Sequence, residues 1–269
     1  MRITAFASLA VFALACPAYS ADPPAVITIG REAIKEGHSA AHEKTEADWA
    51  RAMRKANWPY HFFALTSMSG PGEMWCVTEY DSFADVERAD KQLETAALKA
   101  DYDALAAHDA EHRLSSRPLI AVFRSDLSLH PEYEILGKTH YVAITMMRVK
   151  AGRMPDFLAG SKVYQSAYEK SNFPLPMLAY EVISGARAGL VLFIMPMESL
   201  KSMDDMPQLE IAMIEAMGPD TFEKLEKGSG DVLHNTELKL FRVNPAMSYV
   251  SKETEDADPS FWRPKPAAK

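Results

Sequence analysis

Residues 35–70 read KEGHSAAHEKTEADWARAMRKANWPYHFFALTSMSG, and residues 150–185 read KAGRMPDFLAGSKVYQSAYEKSNFPLPMLAYEVISG. The two stretches align without a gap, because each shared residue lies 115 positions after its counterpart, as Lys150 follows Lys35. The offset is 117 between Ser82 and Ser199, and it is 118 between the Phe-Arg pairs at 123–124 and 241–242. Small insertions in loops explain both increases. A repeat of this length predicts one supersecondary unit that is present twice in the chain.

Each copy predicts the order strand, helix, strand, strand, helix, strand. The strands are β-branched and apolar, the helices carry apolar residues at helical spacing, and Asn-x-Pro ends the first helix of each copy. The predicted elements of the first copy are 26–34, 40–55, 60–68, 74–80, 83–114 and 119–124. Those of the second copy are 140–149, 154–171, 177–184, 190–195, 199–227 with breaks, and 237–243.

This order of elements is the α+β, ferredoxin-like βαββαβ unit, which makes one antiparallel sheet with helices on one face. The other face must be covered, and a second copy can cover it, sheet against sheet. Over residues 26–243 the chain resembles the dimeric α/β-barrel superfamily, on the series strand–K-x-G–helix–N-x-P–strand–S-G–strand. Its NIPSNAP-like and antibiotic-monooxygenase-like branches look most similar. The resemblance implies two fused ferredoxin-like copies whose antiparallel sheets pack as an intrachain dimeric α/β barrel.

The predicted organisation begins with a signal peptide at residues 1–20, with one charge at Arg2, a short apolar run and a small-x-small cleavage site. Ferredoxin-like repeat 1 follows at 26–125, a linker at 126–138, repeat 2 at 139–243, and a proline-rich, acidic tail at 244–269. We expect this tail to be extended or partly disordered. The leader predicts a periplasmic or secreted protein, and lipid attachment through Cys16 is the second interpretation.

Composition excludes several classes of partner. The net charge is −8, and removal of Arg2 with the leader takes it to −9, which argues against binding of nucleic acid or anionic membranes. No stretch after the leader is long and apolar enough to predict a transmembrane helix. Removal of the leader leaves Cys76 without a partner for an internal disulfide, and its apolar neighbours predict a small buried side chain. The 15 methionines predict core packing better than copper binding.

Two pairs of histidines raise the question of a metal. His108, Glu111 and His112 form the pattern H-x-x-E-H, which is the inverted zincin motif, although no third ligand can be assigned from the sequence. His38 and His42 are also four apart, beside Glu43 and Glu46 at the start of a helix. The two pairs could make a copper or zinc site only if the fold brings them together. Exposed histidines on solvated helices are the favoured interpretation of both.

Polar residues inside the predicted strands are the candidates for a ligand pocket. A strand that faces a barrel is apolar unless its polar side chain has a partner or a function. Glu181 with an arginine could line the polar corner of an apolar small-molecule pocket, or could form a structural ion pair. His61 could contact haem or an aromatic ligand, or could be a half-buried strand histidine. The candidates are His61, Thr66, Glu79, Arg124, His140, Glu181 and Arg242.

Three functions stay open, because no nucleotide, serine-hydrolase, dithiol or covalent-haem motif occurs in the sequence. The first is an exported protein that binds a small apolar or aromatic molecule in the tandem barrel. The second, which the resemblance implies, is a haem-dependent or cofactor-independent monooxygenase-type oxidoreductase; haem is possible, although no motif indicates it. The third is a structural or assembly protein, with a filled barrel and homo-oligomers. If the copies have diverged, we expect repeat 1, which has more His and Trp, to carry the function.

Overall fold

The computed structural model describes residues 22–131 and 133–263, which form nine strands and eight α-helices. The strands are β1 Val26–Ile34, β2 Phe62–Ser67, β3 Glu73–Tyr80, β4 Arg113–Ser116, β5 Leu119–Phe123, β6 Tyr141–Val149, β7 Leu178–Ser184, β8 Leu190–Met197 and β9 Leu233–Val243. The helices are α1 Ser39–Lys55, α2 Phe83–Leu93, α3 Ala96–Ala110, α4 Met154–Lys170, α5 Lys201–Met217, α6 Pro219–Val232, α7 Lys252–Ala257 and α8 Pro259–Trp262.

Eight strands close into an antiparallel barrel in the order β3-β2-β9-β6-β8-β7-β5-β1, because β1 also pairs with β3. β4 and β5 lie on the same side of β1, with a break at Arg117 and Pro118, where proline has no N–H for the ladder. Within 26–123, which we call the N-terminal half, the strand order is last, first, third, second. The C-terminal half, 141–243, has the same order, which is the ferredoxin-like arrangement.

Side chains alternate between the inside and the outside of the barrel. On β1, Ile27 and Ile29 point inward, where they belong to a large apolar cluster with Trp75, Tyr180 and Phe241. Burial of these aromatic residues stabilises the barrel, at roughly 25 cal/mol for each Å² of apolar surface removed from water. On the outer face, helices α1 and α3 pack on the N-terminal half, and α4, α5 and α6 pack on the C-terminal half.

The turns at either end of the first helix of each half have the same unusual backbone. Gly37 and Gly152 lie at φ 78° and 77°, and Asn57 and Asn172 at φ 48° and 52°. These are left-handed conformations, which glycine and asparagine adopt at the lowest cost. The K-x-G and N-x-P segments of the sequence therefore recur because both helices enter and leave through the same turns.

The structure differs from the sequence expectation in the long helical segment of the first half. The segment predicted as one helix over 83–114 is two helices, α2 and α3, separated at Glu94 and Thr95, and α3 ends at Ala110. Residues 113–116 then form β4, which pairs with the end of β1. This difference matters for the site, because it places Arg113 on the sheet, one turn after the last residues of α3.

The C-terminal segment also differs from the expectation of an extended or partly disordered tail. Residues 244–263 pack onto the barrel, where Met247, Tyr249 and Trp262 are buried. The indole N–H of Trp262 donates to the carbonyl of Gly137 at 2.8 Å. Ser251 and Asp258 cap two short helices, so the proline and acidic residues here initiate helices rather than prevent folding. Residues 264–269 and the predicted signal peptide (1–20) lie outside the described part of the chain.

None of the helices in the described ranges is both long enough and apolar enough to cross a membrane.

Candidate functional site

A cleft of about 480 Å³ lies between the outer face of the sheet and helices α1 and α3, in the N-terminal half of the chain. Its floor is made by small strand residues, Gly30 and Cys76, which face each other on β1 and β3. Aromatic and methionine side chains form most of its walls. They are Trp49, Met53, Trp58, Phe62, Met74, Tyr80 and Tyr102.

The cleft is polar at one end, where a buried group of charged side chains meets. Glu32 comes from β1, His42 and Glu46 from successive turns of α1, and Asp109 from the last turn of α3. We call these four residues the acidic cluster. One ligand atom from each lies within 4.8 Å of the others, and each residue is at least nine-tenths buried. Glu32, Glu46 and Asp109 line the cleft itself.

His42 stands at the centre of the acidic cluster. Its Nε2 lies 2.9 Å from Oε2 of Glu32 and 3.2 Å from Oδ1 of Asp109. Nε2 of His42 forms its hydrogen bond with Glu32, and Oδ1 of Asp109 has no hydrogen-bond partner although the residue is only 1% exposed. The guanidinium of Arg113 contacts the other oxygen of each carboxylate, Oε1 of Glu32 and, at 2.6 Å, Oδ2 of Asp109.

The electrostatics of the acidic cluster shift two pKa values upward. Burial would lower the pKa of His42, but the neighbouring carboxylates of Asp109 and Glu32 outweigh it and raise the pKa to about 9. Burial raises the pKa of Glu46 to about 8, and the charges of Glu32 and Asp109 add to the effect. Burial also raises the pKa of the Cys76 thiol, so this cysteine at the cleft floor is a poor nucleophile.

The fold brings the two histidine pairs of the sequence together beside the acidic cluster. Nδ1 of His38 and Nδ1 of His112 are 3.1 Å apart, and the rings of His108 and His112 are 5.0 Å apart. His108 bonds the hydroxyl of Thr45 at 3.0 Å and is exposed, as is Glu111. The H-x-x-E-H pattern therefore does not present its own glutamate with its two histidines. The buried carboxylate in this turn is Asp109, a variable position of the motif.

The predicted pocket residues lie elsewhere, and none of the seven is among the residues that line the cleft. Arg124 contacts Glu181 and holds Asp126 through two bonds of 2.8 and 2.7 Å, so the predicted Glu181–arginine pair is present as an ion pair between β5 and β7. His140 bonds Asp258 at 2.9 Å and stacks on Phe261, with ring centroids 3.9 Å apart. This histidine anchors the C-terminal segment.

The remaining four predicted pocket residues form two neighbouring pairs, His61 with Glu79 and Thr66 with Arg242. His61 packs on the ring of Tyr249, and burial lowers its pKa. The hydroxyl of Thr66 donates to the carbonyl of Arg242, whose own side chain is exposed. Burial raises the pKa of Glu79, near the end of β3, to about 8. The side chains of His61 and Thr66 thus contact other parts of the fold, at Tyr249 and Arg242.

The cleft does not lie at the expected location inside the tandem barrel. The barrel interior contains the large apolar cluster with Trp75, Tyr180 and Phe241, and the cleft lies outside it. Sequence reasoning missed Glu32, Asp109 and Arg113 as site residues. A signal for Glu32 was available, since it is an acidic residue within an apolar strand and follows Gly30, a residue that leaves space on a strand face.

Several solved structures are similar to this chain in fold. A candidate monooxygenase from Fusobacterium nucleatum is similar at TM-score 0.55 and 8% identity, over 82% of this chain and 93% of that one. One from Lactobacillus acidophilus is similar at 0.50 and 10%, over 82% and 94%. An anthrone oxidase-like protein is similar at 0.51 and 12%, over 84% and 94%.

These similarities, with the closed barrel and its outer helices, show that the chain has the fold of the dimeric α/β-barrel superfamily. No family model and no curated protein matches the sequence.

Proposed function

We propose that this chain is an exported protein that binds a small, uncharged aromatic molecule in the cleft of its N-terminal half. The observation that carries the proposal is the cleft itself. It has an aromatic wall, a floor of small residues and a single polar end, which is the usual composition of a small-molecule site.

The polar end favours a ligand with a hydroxyl or carbonyl group and disfavours an anion. Three carboxyl groups meet there, and the two cations within reach, His42 and Arg113, are already bound to Glu32 and Asp109. A hydroxyl group can donate to a carboxylate oxygen, whereas a ligand carboxylate would meet like charges in a desolvated place. The edge-on pair of Trp49 and Tyr102, at 4.9 Å between centroids, offers flat surfaces for an aromatic ring.

A matched pair of ligands tests this proposal. We expect 1-naphthol to bind saturably and to quench the fluorescence of Trp49 and Trp58, and 1-naphthoate to bind at least about tenfold more weakly. Trp49→Leu should weaken the binding of 1-naphthol, followed by calorimetry. Tyr164→Leu, at the matching position of the C-terminal half, should leave the affinity unchanged. Equal binding of both ligands, or equal effects of the two variants, would refute the proposed site.

Oxygen-dependent oxidation of the bound ligand is the second candidate function. The carboxyl groups of Glu32 and Glu46 line the cleft and could take a proton from an acidic C–H or O–H group. Anthrone is a suitable probe, since anthrone and O₂ give anthraquinone and water. Oxygen uptake above the protein-free rate, lost in Glu46→Gln, would support this function. No histidine lines the cleft, so its lining offers haem no axial histidine ligand.

We also propose that the two halves are copies of one unit and that the chain is exported after cleavage near Ser20. The common strand order, the matching left-handed turns and the constant offset of the shared residues support the first statement. The second rests on the leader sequence alone. A periplasmic extract should contain a chain that begins at Ala21, as measured by mass spectrometry, and a mature amino terminus at Cys16 would indicate a lipoprotein instead.

A further inference from the structure

We propose that the acidic cluster of Glu32, His42, Glu46 and Asp109 is a binding site for one divalent transition-metal ion, such as Mn²⁺ or Zn²⁺. This inference goes beyond the proposed binding of an aromatic molecule and does not depend on it, since the metal can be tested alone.

The first support is geometric. With metal–ligand distances of about 2.1 Å, neighbouring ligand atoms lie about 3.0 to 3.5 Å apart in octahedral or tetrahedral sites. The distances from Nε2 of His42 to Glu32 and Asp109, 2.9 and 3.2 Å, are already close to this range. The four donor atoms lie within 4.8 Å of one another, so small side-chain rotations would complete the set.

The second support is the unpartnered oxygen of Asp109. Asp109 is 1% exposed, and its Oδ1 is aimed at Nε2 of His42 without a hydrogen bond. A buried carboxylate oxygen without a hydrogen-bond partner has lost its contacts with water and gained none in return, so such an oxygen calls for an explanation. A cation placed between Asp109, His42 and Glu32 would supply the missing partner.

The third support is the position of Arg113. Its guanidinium holds Oε1 of Glu32 and Oδ2 of Asp109, which are the oxygens that face away from His42. The two oxygens that Arg113 does not contact are the ones that converge on Nε2 of His42. Partners that fix the outer atoms of ligating carboxylates are typical of metal sites, because they orient the ligands.

Charge and ligand chemistry indicate the kind of metal. Once a metal ion has displaced the protons of His42 and Glu46, the three carboxylates, the guanidinium and the neutral imidazole sum to −2, which one divalent ion neutralises within this buried site. Three oxygen ligands and one nitrogen suit Mn²⁺, Fe²⁺ or Zn²⁺ better than Cu⁺, which prefers sulfur. Glu32, Glu46 and Asp109 also line the cleft, so the ion would face a bound molecule there.

Metal binding is measured on the mature full-length protein, stripped with EDTA and dialysed, with no organic ligand present. Titration with ZnCl₂ and with MnCl₂ in a calorimeter should give one site for each chain. Co²⁺ should give a spectrum of nitrogen and oxygen ligation, without the charge-transfer band of a thiolate, which would implicate Cys76. Failure to bind any of the three ions would overturn the proposal and would leave the proposed aromatic site untouched.

Variants locate the site. Glu46→Gln and Asp109→Asn should each weaken metal affinity by at least about tenfold, on the scale known for residues that support metal sites. Glu46→Gln keeps the shape of the side chain, so it should fold even if Asp109→Asn does not. His108→Asn and Glu111→Gln alter the exposed part of the H-x-x-E-H pattern and should leave the affinity unchanged. If these last two variants abolish binding and Glu46→Gln does not, the ion belongs to the histidine pattern and the proposed site is wrong.

Discussion

The outer faces of the two halves differ in what fills the space between sheet and helices. In the N-terminal half, Gly30 pairs with Cys76 and leaves an open cleft. In the C-terminal half, Thr145 pairs with Phe193 at the matching place, and the ring of Phe193 packs on Phe157 of α4. Two small residues on adjacent strands therefore make the difference between a cleft and an apolar core.

The charged residues of the site also differ between the two halves. His42 of α1 matches Phe157 of α4, and Glu32 of β1 matches Met147 of β6, each 115 positions apart as in the aligned stretches. Phe157 and Met147 pack in one apolar cluster of the C-terminal half. The C-terminal half thus shows what the fold needs for stability at these positions. The N-terminal half departs from it, which is expected where residues serve binding rather than packing.

The largest expected effect comes from copying the C-terminal residue into the N-terminal half at His42. In metal-free protein, His42→Phe removes the partner that lies 2.9 Å from Glu32 and 3.2 Å from Asp109. Breaking a buried ion pair on one side costs about 3–5 kcal/mol, so the free energy of unfolding in urea should fall by that order. The double variant Glu32→Met, His42→Phe copies Met147 and Phe157 together and should be more stable than the single variant. If the effects of Glu32→Met and of His42→Phe on the free energy of unfolding simply add in the double variant, these positions are not equivalent in the two halves.

The next effect concerns the cleft floor. Cys76→Phe copies Phe193 and should fill the cleft, so that binding of 1-naphthol is lost in calorimetry. Overpacking typically costs about 1–3 kcal/mol, which should leave the barrel folded. Cys76→Ala serves as the control, because it keeps the space and should keep the affinity. Unchanged binding in Cys76→Phe would place the ligand outside this cleft.

A smaller effect is expected at Glu79, whose matching position in the C-terminal half is Pro196 and cannot titrate. Burial raises the pKa of Glu79 from an ordinary value of 4.5 to about 8. Between these values the folded protein holds a proton that the unfolded chain has released, so the contribution of Glu79 to stability is fully present below pH 4.5 and is lost as the pH rises towards 8. Glu79→Gln should make the protein more stable than the wild type at pH 8, by about 1–2 kcal/mol, and remove part of this pH dependence. An equal slope in both proteins, from urea unfolding at pH 5 to 8, would contradict the shift.

The sequence predicted the barrel because its information is repeated and local. Strand alternation, the turns at Gly37 and Gly152, and the Asn-x-Pro ends of two helices all appear at fixed spacing. The C-terminal segment was harder, because its proline and acidic residues are common both in disordered tails and at helix starts. Only contact with the barrel, through residues such as Trp262, decides between these alternatives.

The site was only partly predictable. The His38–His42 and His108–His112 spacings could be seen, but the meeting of Glu32, His42 and Asp109 depends on the packing of β1, α1 and α3. The residue pattern within a single strand or helix does not indicate which elements pack together. The charged residues of the strands were the more obvious candidates. In the structure two of them, Arg124 and Glu181, form an ion pair with each other.

The smallest effect is expected at the ion pair of Arg124 and Glu181. A variant of this pair distinguishes a structural role from a role in ligand binding. Arg124 and Glu181 are part-exposed, and such pairs contribute about 0–1 kcal/mol. Glu181→Gln should therefore change the free energy of unfolding by less than about 1 kcal/mol and leave the affinity for 1-naphthol unchanged. The N-terminal residue at the matching position is Thr66, whose hydroxyl donates to the backbone carbonyl of Arg242. A clear loss of ligand affinity in Glu181→Gln, with normal unfolding, would mean that the binding site extends to the C-terminal half. The two halves would then not differ in ligand binding as proposed.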